Sequence, residues 1–362
     1  MKLFELYILR RICWSFLLSC LFIMLIAWTM QILQRINLVS NNAESITILC
    51  QISYLIFPTV IPMTVPFCFA METTNVLTAM NRNAELFIVD NTGTSRITLI
   101  KPVLFFAILL SIFLFMLENT LEPKYRTEIK RLSAQAYLNL TLSSLEENLF
   151  FNLNNNFYIK VSKRNPNNTM QGIFAIDSSD PIIHRIYYAK SGFVDLEKKI
   201  IVLQKGEVHR KSSVSKDISI MKFDSYALDM QSLVAKQEIT LKAHEQNLSF
   251  LLNPDPNNPS YRENFIGRYR SELHKRLTQW LFPIVFGLIS ILSIEKTSSL
   301  RHYRKVHPSL IALLLSFCVF SVFSYIIQGI EQSPSYIPIL YLFFFVLSSI
   351  LVLLIKKKYV KI

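Results

Sequence analysis

Glycine is scarce in this chain, with seven residues in 362. A phosphate-cradling loop needs clustered glycines ahead of Lys-Ser or Lys-Thr, and no Gly-x-x-x-x-Gly-Lys-[Ser/Thr] occurs, so ATP hydrolysis by that route is not expected. The six histidines (His184, His209, His244, His274, His302 and His307) make no His-Glu-x-x-His pair, and no two cysteines stand as Cys-x-x-Cys. His302 and His307 beside Arg301 and Arg304 fit a metal or phosphate site less well than a solvated basic loop. No Ser, His and Asp arrangement can be placed by spacing. No catalytic residue, metal ligand or cofactor is therefore expected.

Cysteine is missing from the whole polar middle of the chain, since Cys13, Cys20, Cys50, Cys68 and Cys318 all lie in hydrophobic runs. A disulfide-built ectodomain is excluded there, and a periplasmic domain with its own core fits better. Charge is missing from six runs: Ile12–Leu33, Ser45–Met71, Pro102–Leu117, Leu277–Ile294, Pro308–Ile330 and Gln332–Ile355. A hydrocarbon layer of ~30 Å needs ~20 helical residues, so these predict six membrane helices, three on each side of a polar insert. None holds a carboxylate that could serve a proton relay. The first run is too long, and lacks the small-residue site, for a cleaved signal.

Basic residues are distributed unevenly. The N-terminal tail, the second and fourth loops and the C-terminal tail hold fourteen Lys and Arg, and the two short loops opposite hold only Arg35. The positive-inside rule puts both termini in the cytoplasm and the insert outside. Most of the net charge of +13 follows from this topology. No basic groove interleaved with aromatics suggests nucleic acid.

The insert opens with an amphipathic helix over 124–144 carrying Ile129, Leu132, Ala136 and Leu140 on one side, after Pro123 closes the third membrane helix. Short alternating runs follow from about Glu146, with turn signals that include Gly192 and Lys205–Gly206. They predict an all-β sandwich or jelly roll, whose edges are either open to partner strands or protected. Asn253–Pro259 ends it, and a charged helix, Tyr261–Arg276, leads back to the membrane. Three regions result: 1–123 with membrane helices one to three, 124–260 with the β domain and its entry helix, and 261–362 with a linker helix and helices four to six.

Within the second loop, residues of about 75–92 read as one short helix with an apolar stripe of Val76, Leu77, Met80, Phe87 and Ile88, ending at Gly93 as a C′ cap. It reads either as a coupling helix that engages a nucleotide-binding subunit or as an interfacial helix lying on lipid. Glu85 and Asp90 weigh against the latter. Pro58, Pro62 and Pro66 recur every four residues in the second run and predict a kinked or bendable helix.

The segment Asn81–Ser95, NRNAELFIVDNTGTS, resembles the coupling segment of the LptF/LptG permeases that export lipopolysaccharide from the inner membrane of Gram-negative bacteria. SELHKRLTQWLFPIVFGLI (271–289) resembles that family's entry to its fourth helix, and the first helix, with Trp28, Gln31 and Leu33, is similar to the LptF branch. Order and topology match over nearly the whole chain. Ala84, Asp90-Asn91-Thr92 and Trp280 depart from the pattern. The resemblance implies six membrane helices in a 3 + 3 arrangement with an inserted periplasmic β-jellyroll. It also implies a permease subunit without an ATPase site of its own, paired with an LptG-like subunit and seated on a homodimeric ATPase. Lipopolysaccharide would pass to LptC/LptA-like periplasmic jellyroll proteins. Arg82, Glu85, Leu86 and Gly93 are then the expected ATPase-coupling residues. Arg35 and Gln31 are the expected lipid contacts, with an ordinary interfacial anchor the other reading of Arg35. The alternative for the whole chain is an inner-membrane scaffold whose β domain docks envelope proteins.

The charge distribution makes a direct prediction. A cysteine introduced at Ser178 is labelled by an impermeant maleimide in spheroplasts, and one at Lys357 only after lysis; the reverse pattern would invert the topology.

Overall fold

The computed structural model describes residues 3–36, 43–86, 97–143, 147–154, 157–165, 169–178, 183–195, 200–212, 218–229, 241–256, 258, 261–294 and 306–360. The chain packs as two compact units: Met1–Gln31, Leu55–Thr127 and Leu241–Ile362 form one, and Ile32–Tyr54 with Glu128–Thr240 the other.

The helices in chain order are α1 (Leu3–Leu33), α2 (Ala43–Arg82), α3 (Ile97–Met116), α4 (Glu122–Ser143), α5 (Leu248–Leu252), α6 (Ile266–Gln279), α7 (Phe282–Ser293), α8 (Pro308–Gln332) and α9 (Tyr336–Val360). Among the described residues, five helices are long and apolar enough to cross a membrane, and a sixth crossing needs α6 and α7 together, bent by 49° between Gln279 and Phe282. The expected run Leu277–Ile294 is thus not one straight helix. Pro283 in the first turn of α7 cannot continue the hydrogen-bond ladder of α6, so the chain restarts at Phe282. The 12 residues of α7 would rise only about 18 Å at 1.5 Å each.

Two further boundaries move. Pro123 does not close the third helix: a π-helical turn, Leu117–Leu121, joins α3 directly to α4. In this wide turn the Glu122 N–H, just before the proline, donates to the Leu117 carbonyl five residues back. The helix expected from about 75 is not a separate element, because residues 75–82 complete α2, which also carries all three prolines without interruption. It stops where Ala84 takes a left-handed conformation, φ +59°.

The membrane core is built around α7. Helix α3 packs on it from one side and α8 and α9 from the other. Gly287 lets α7 close on α2 and α3: a Cβ there would stand 3.1 Å from Phe69 Cε1. Ser290 Oγ, 2.9 Å from the Ala70 carbonyl, donates to a second helix as well as its own. Phe282 meets Phe323 edge-on and Phe320 and Phe344 at a tilt, at centroid distances of 4.9, 5.6 and 5.7 Å. Lys358 Nζ donates to the carbonyls of Leu292 (2.6 Å) and Ile294 and so caps the C-terminus of α7. Leu21, Phe22, Leu314 and Phe345 remain exposed, a belt for lipid tails.

The insert is β, as its alternation predicted. Strands β1 (Phe150–Asn154), β2 (Phe157–Arg164), β3 (Thr169–Asp177), β4 (Ile183–Asp195), β5 (Ile200–Ser212) and β6 (Ile218–Asp229) form one antiparallel sheet in sequential order. The described strands are a meander with edges at β1 and β6, so the jelly-roll expectation is met in class and with a simpler pairing. Phe157, Ile159, Val161, Ile173, Ala175, Tyr187, Ile201 and Leu203 fill the buried face. The opposite face carries a ladder, Phe150–Phe174–Tyr188–His209, at 6.0, 5.1 and 5.1 Å.

Gly192 and Lys205–Gly206 are not turns but lie inside β4 and β5. The register with the neighbouring strands is the same on either side of them, the pairing skipping only Lys205, which takes φ +52°. Residues after Leu241 also leave the expected domain, since Ala243 and Leu251 pack with Tyr269 of α6.

At Gly206 a Cβ would stand 2.1 Å from the Tyr188 carbonyl oxygen, which the strand pairing holds in place. Gly206→Ala is therefore expected to destabilise by about 1–3 kcal/mol, read as a lowered unfolding midpoint of the purified protein; an unchanged midpoint would show that the strands can part.

Candidate functional site

A cavity of about 790 Å³ opens among the helices of the first unit. Its apolar wall comes from Ile23 and Ala27 of α1, Val60, Met63 and Phe67 of α2, and Leu313, Phe320 and Ile327 of α8. Its other end is ionic, lined by Glu118, Glu122, Arg126, Glu272, Lys275 and Arg276, with Gln31, Gln279 and Gln328 between the two. An apolar body with one charged end suits an amphiphile. Among the described residues no three His, Cys, Asp or Glu side chains are grouped to hold a metal ion.

The ionic end is held by α6. Arg276 is 4% exposed. Its Nε donates to Glu272 at 3.0 Å, and its two terminal nitrogens donate to the Gln246 and His244 carbonyls at 2.9 and 3.0 Å. One guanidinium thus fastens the segment returning from the β domain to the helix that enters the membrane. Burial and the nearby Arg126 hold the His244 imidazole below its ordinary value, which keeps it neutral at pH 7. Arg126 pairs with Glu122 at 2.6 Å. On its other side α6 grips the end of α8: Arg268 meets Glu331 at 2.8 Å, Ser271 donates to the Ile327 carbonyl at 3.0 Å, and Arg270 donates to the Ile330 carbonyl at 2.8 Å. Gly267 permits this approach, for a Cβ there would lie 2.2 Å from the Glu331 oxygen.

A second polar cluster joins α1 to the end of α2. Arg11 donates to Glu85 Oε1 at 2.9 Å and to Oε2 at 3.1 Å, and Tyr7 lies within 3.4 Å of the same carboxylate. One turn on, Ser15 Oγ donates to the buried Glu72 at 2.5 Å. Leu86 is buried with Val76, Leu77 and Met80 in the main core. The described part of the expected apolar stripe, Val76, Leu77 and Met80, therefore faces the protein rather than lipid.

Of the expected coupling residues, Glu85 and Leu86 are tied to α1 and the core, Arg82 is exposed at the end of α2, and Gly93, with Phe87, Ile88 and Asp90, lies outside the described residues. The structure does not leave Glu85 as a free surface acid: Arg11, read from the sequence only as a topological charge, stands against it. Gln31 lines the cavity. Arg35 donates to Ser133 Oγ of α4 at 3.1 Å. The cavity carboxyls at 118 and 122 were missed in the sequence because they fall just past the charge-free run that ends at Leu117.

The sequence model of the family "Lipopolysaccharide export system permease LptF/LptG" matches residues 6–357. A protein of Rickettsia prowazekii (strain Madrid E), named there as uncharacterized, is 22% identical over 260 residues, 70% of this chain and 72% of its own length.

Removing Arg276 would leave Glu272 with Lys275 alone, 3.5 Å away, and would strand two backbone carbonyls. Arg276→Ala is expected to destabilise by about 3–5 kcal/mol, the cost of breaking a buried pair from one side, measured by thermal unfolding; a loss under about 1 kcal/mol would reduce it to a surface pair.

Proposed function

From the premise that this chain belongs to the LptF/LptG family of lipopolysaccharide export permeases, we propose that it is one half of a two-subunit permease driven by a separate ATPase. The family and the apolar helices make it a multi-pass protein of the inner membrane. Beyond that, the proposed arrangement has both termini in the cytoplasm, an LptG-like partner subunit and a homodimeric ATPase beneath. Lipopolysaccharide moves from the membrane to LptC/LptA-like jellyroll proteins by way of the insert. The similarity of the first helix favours the LptF side.

The cavity carries this reading: a scaffold that merely docks proteins has no use for an amphiphile-shaped space walled by three membrane helices. Acyl chains lie against α2 and α8, and the headgroup meets the ionic end and Gln31; Arg35, apart from the cavity, is a separate proposed contact for anionic headgroups. The sequence offers no phosphate loop, so the work must enter from outside. The segment from Arg82 to Gly93 is the proposed point of entry, with Leu86 seated in the core so that a push there moves the whole helix end. Glu85 passes the displacement to α1 through Arg11, and α1 forms part of the cavity wall.

Glu85→Lys sets two cations against each other at this joint. It is expected to lower lipopolysaccharide-stimulated ATPase activity and lipid release by the purified complex at least tenfold. Adding Arg11→Glu restores part of the loss if the pair's role is mechanical. Wild-type ATPase association and lipid release in Glu85→Lys would refute the coupling role.

A further inference from the structure

Among the described residues, the Glu118 carboxyl is the one buried carboxyl with neither oxygen hydrogen-bonded. It sits in the π-helical turn after α3, is 3% exposed, and has both oxygens shielded from solvent without a hydrogen-bond donor. It also lines the cavity. π-turns are rare and are often kept where a side chain must be set in a particular place. Here the turn sets an acid into the wall of a lipid-sized space.

The charged neighbours on every side are accounted for. Arg126, on α4, is engaged by Glu122 at 2.6 Å. On α6, Arg276 is engaged by Glu272 and two carbonyls, and Lys275 lies 3.5 Å from Glu272. Three carboxyls therefore share this end with three cations, and each cation stands with a carboxyl other than Glu118. A buried carboxyl without a donor is disfavoured by several kcal/mol unless a proton or a cation completes it. Calcium or magnesium would need about six oxygen ligands, more than one carboxyl supplies, and among the described residues no three His, Cys, Asp or Glu side chains are grouped to hold a metal.

We propose that Glu118 receives a positively charged amine on the headgroup of the amphiphile that enters the cavity, and so biases the permease toward amine-bearing lipids. The inference rests on the reading of the cavity as a lipid site. The ammonium supplies the donor that Glu118 lacks, and no ion pair already present has to break. The carboxyl lies at the charged end, where a headgroup would come to rest with its chains along α2 and α8. The amides of Gln31, Gln279 and Gln328 are left for hydroxyl and phosphate oxygens. Such an amine could belong to an aminophospholipid or to an amine-substituted phosphorylated glycolipid, and both present the same group to the site.

The test is native mass spectrometry of the intact purified permease complex with two lipid pairs. One is phosphatidylethanolamine against phosphatidylglycerol with the same acyl chains; the other is lipid A with and without a phosphoethanolamine substituent. Wild type is expected to hold the amine-bearing member about tenfold more tightly, the gain of a charge-assisted contact. Glu118→Gln, close in shape, keeps the binding of phosphatidylglycerol and unsubstituted lipid A but loses the preference. Glu118→Asp, with shorter reach, retains part of it. A preference confined to one pair identifies which lipid class brings the amine. A carboxyl that is merely neutral behaves as glutamine does, so the absence of a preference in wild type, or one that survives Glu118→Gln, would overturn the proposal. If no lipid of either pair binds wild type, the reading of the cavity fails first and this inference with it.

Discussion

A hydrocarbon environment gives polar groups nothing to bond to, and most of this structure follows from that constraint. Around the membrane helices the chain keeps most charge near helix ends and pairs several of these groups there. Arg276 is the extreme case, a buried guanidinium with one carboxylate and two carbonyls as partners. It is held by the returning segment on one side, while its helix grips the end of α8 on the other. A single helix thus connects the exit of the β domain to the membrane core, and its position is fixed by satisfied hydrogen bonds rather than by apolar packing alone.

The same constraint explains why the two functional regions look as they do. At one end of the helices an ion pair, Arg11 with Glu85, ties the end of α2 to α1. Toward the other end of α1 is a space with apolar walls and a charged rim. Because α1 contributes both the ion pair and part of the cavity wall, on the proposed reading movement of the α2 end has a rigid route to the cavity. No soft element intervenes, since α1 runs unbroken over 31 residues. Against this background of satisfied charges, Glu118 stands out as the wall group that a ligand could complete.

Much of the architecture was legible in the sequence. Charge-free runs report the membrane because a charge in hydrocarbon is costly wherever it sits, and alternation in the insert reports strands because side chains change face at every residue. Local rules misread single positions. Gly192 and Lys205–Gly206 signal turns, but in long paired strands a glycine can instead make room for a neighbouring backbone. Pro123 signals a stop, but a π-turn absorbed it. Val76, Leu77 and Met80 form the expected stripe, yet they face the core, because the residues before them continue the same helix.

By itself, then, the sequence determined which segments are apolar enough to enter the membrane and where the β domain is inserted. These depend on composition and period, properties of a chain read in order. Only the tertiary structure decided that Glu85 faces Arg11, 74 residues away, that α6 and α7 meet at a bend of 49°, and that, among the described residues, Glu118 is left without a hydrogen-bond donor while the cations lining the same cavity are engaged elsewhere. Pairing of charges depends on distance in space, and a sequence records distance only along the chain.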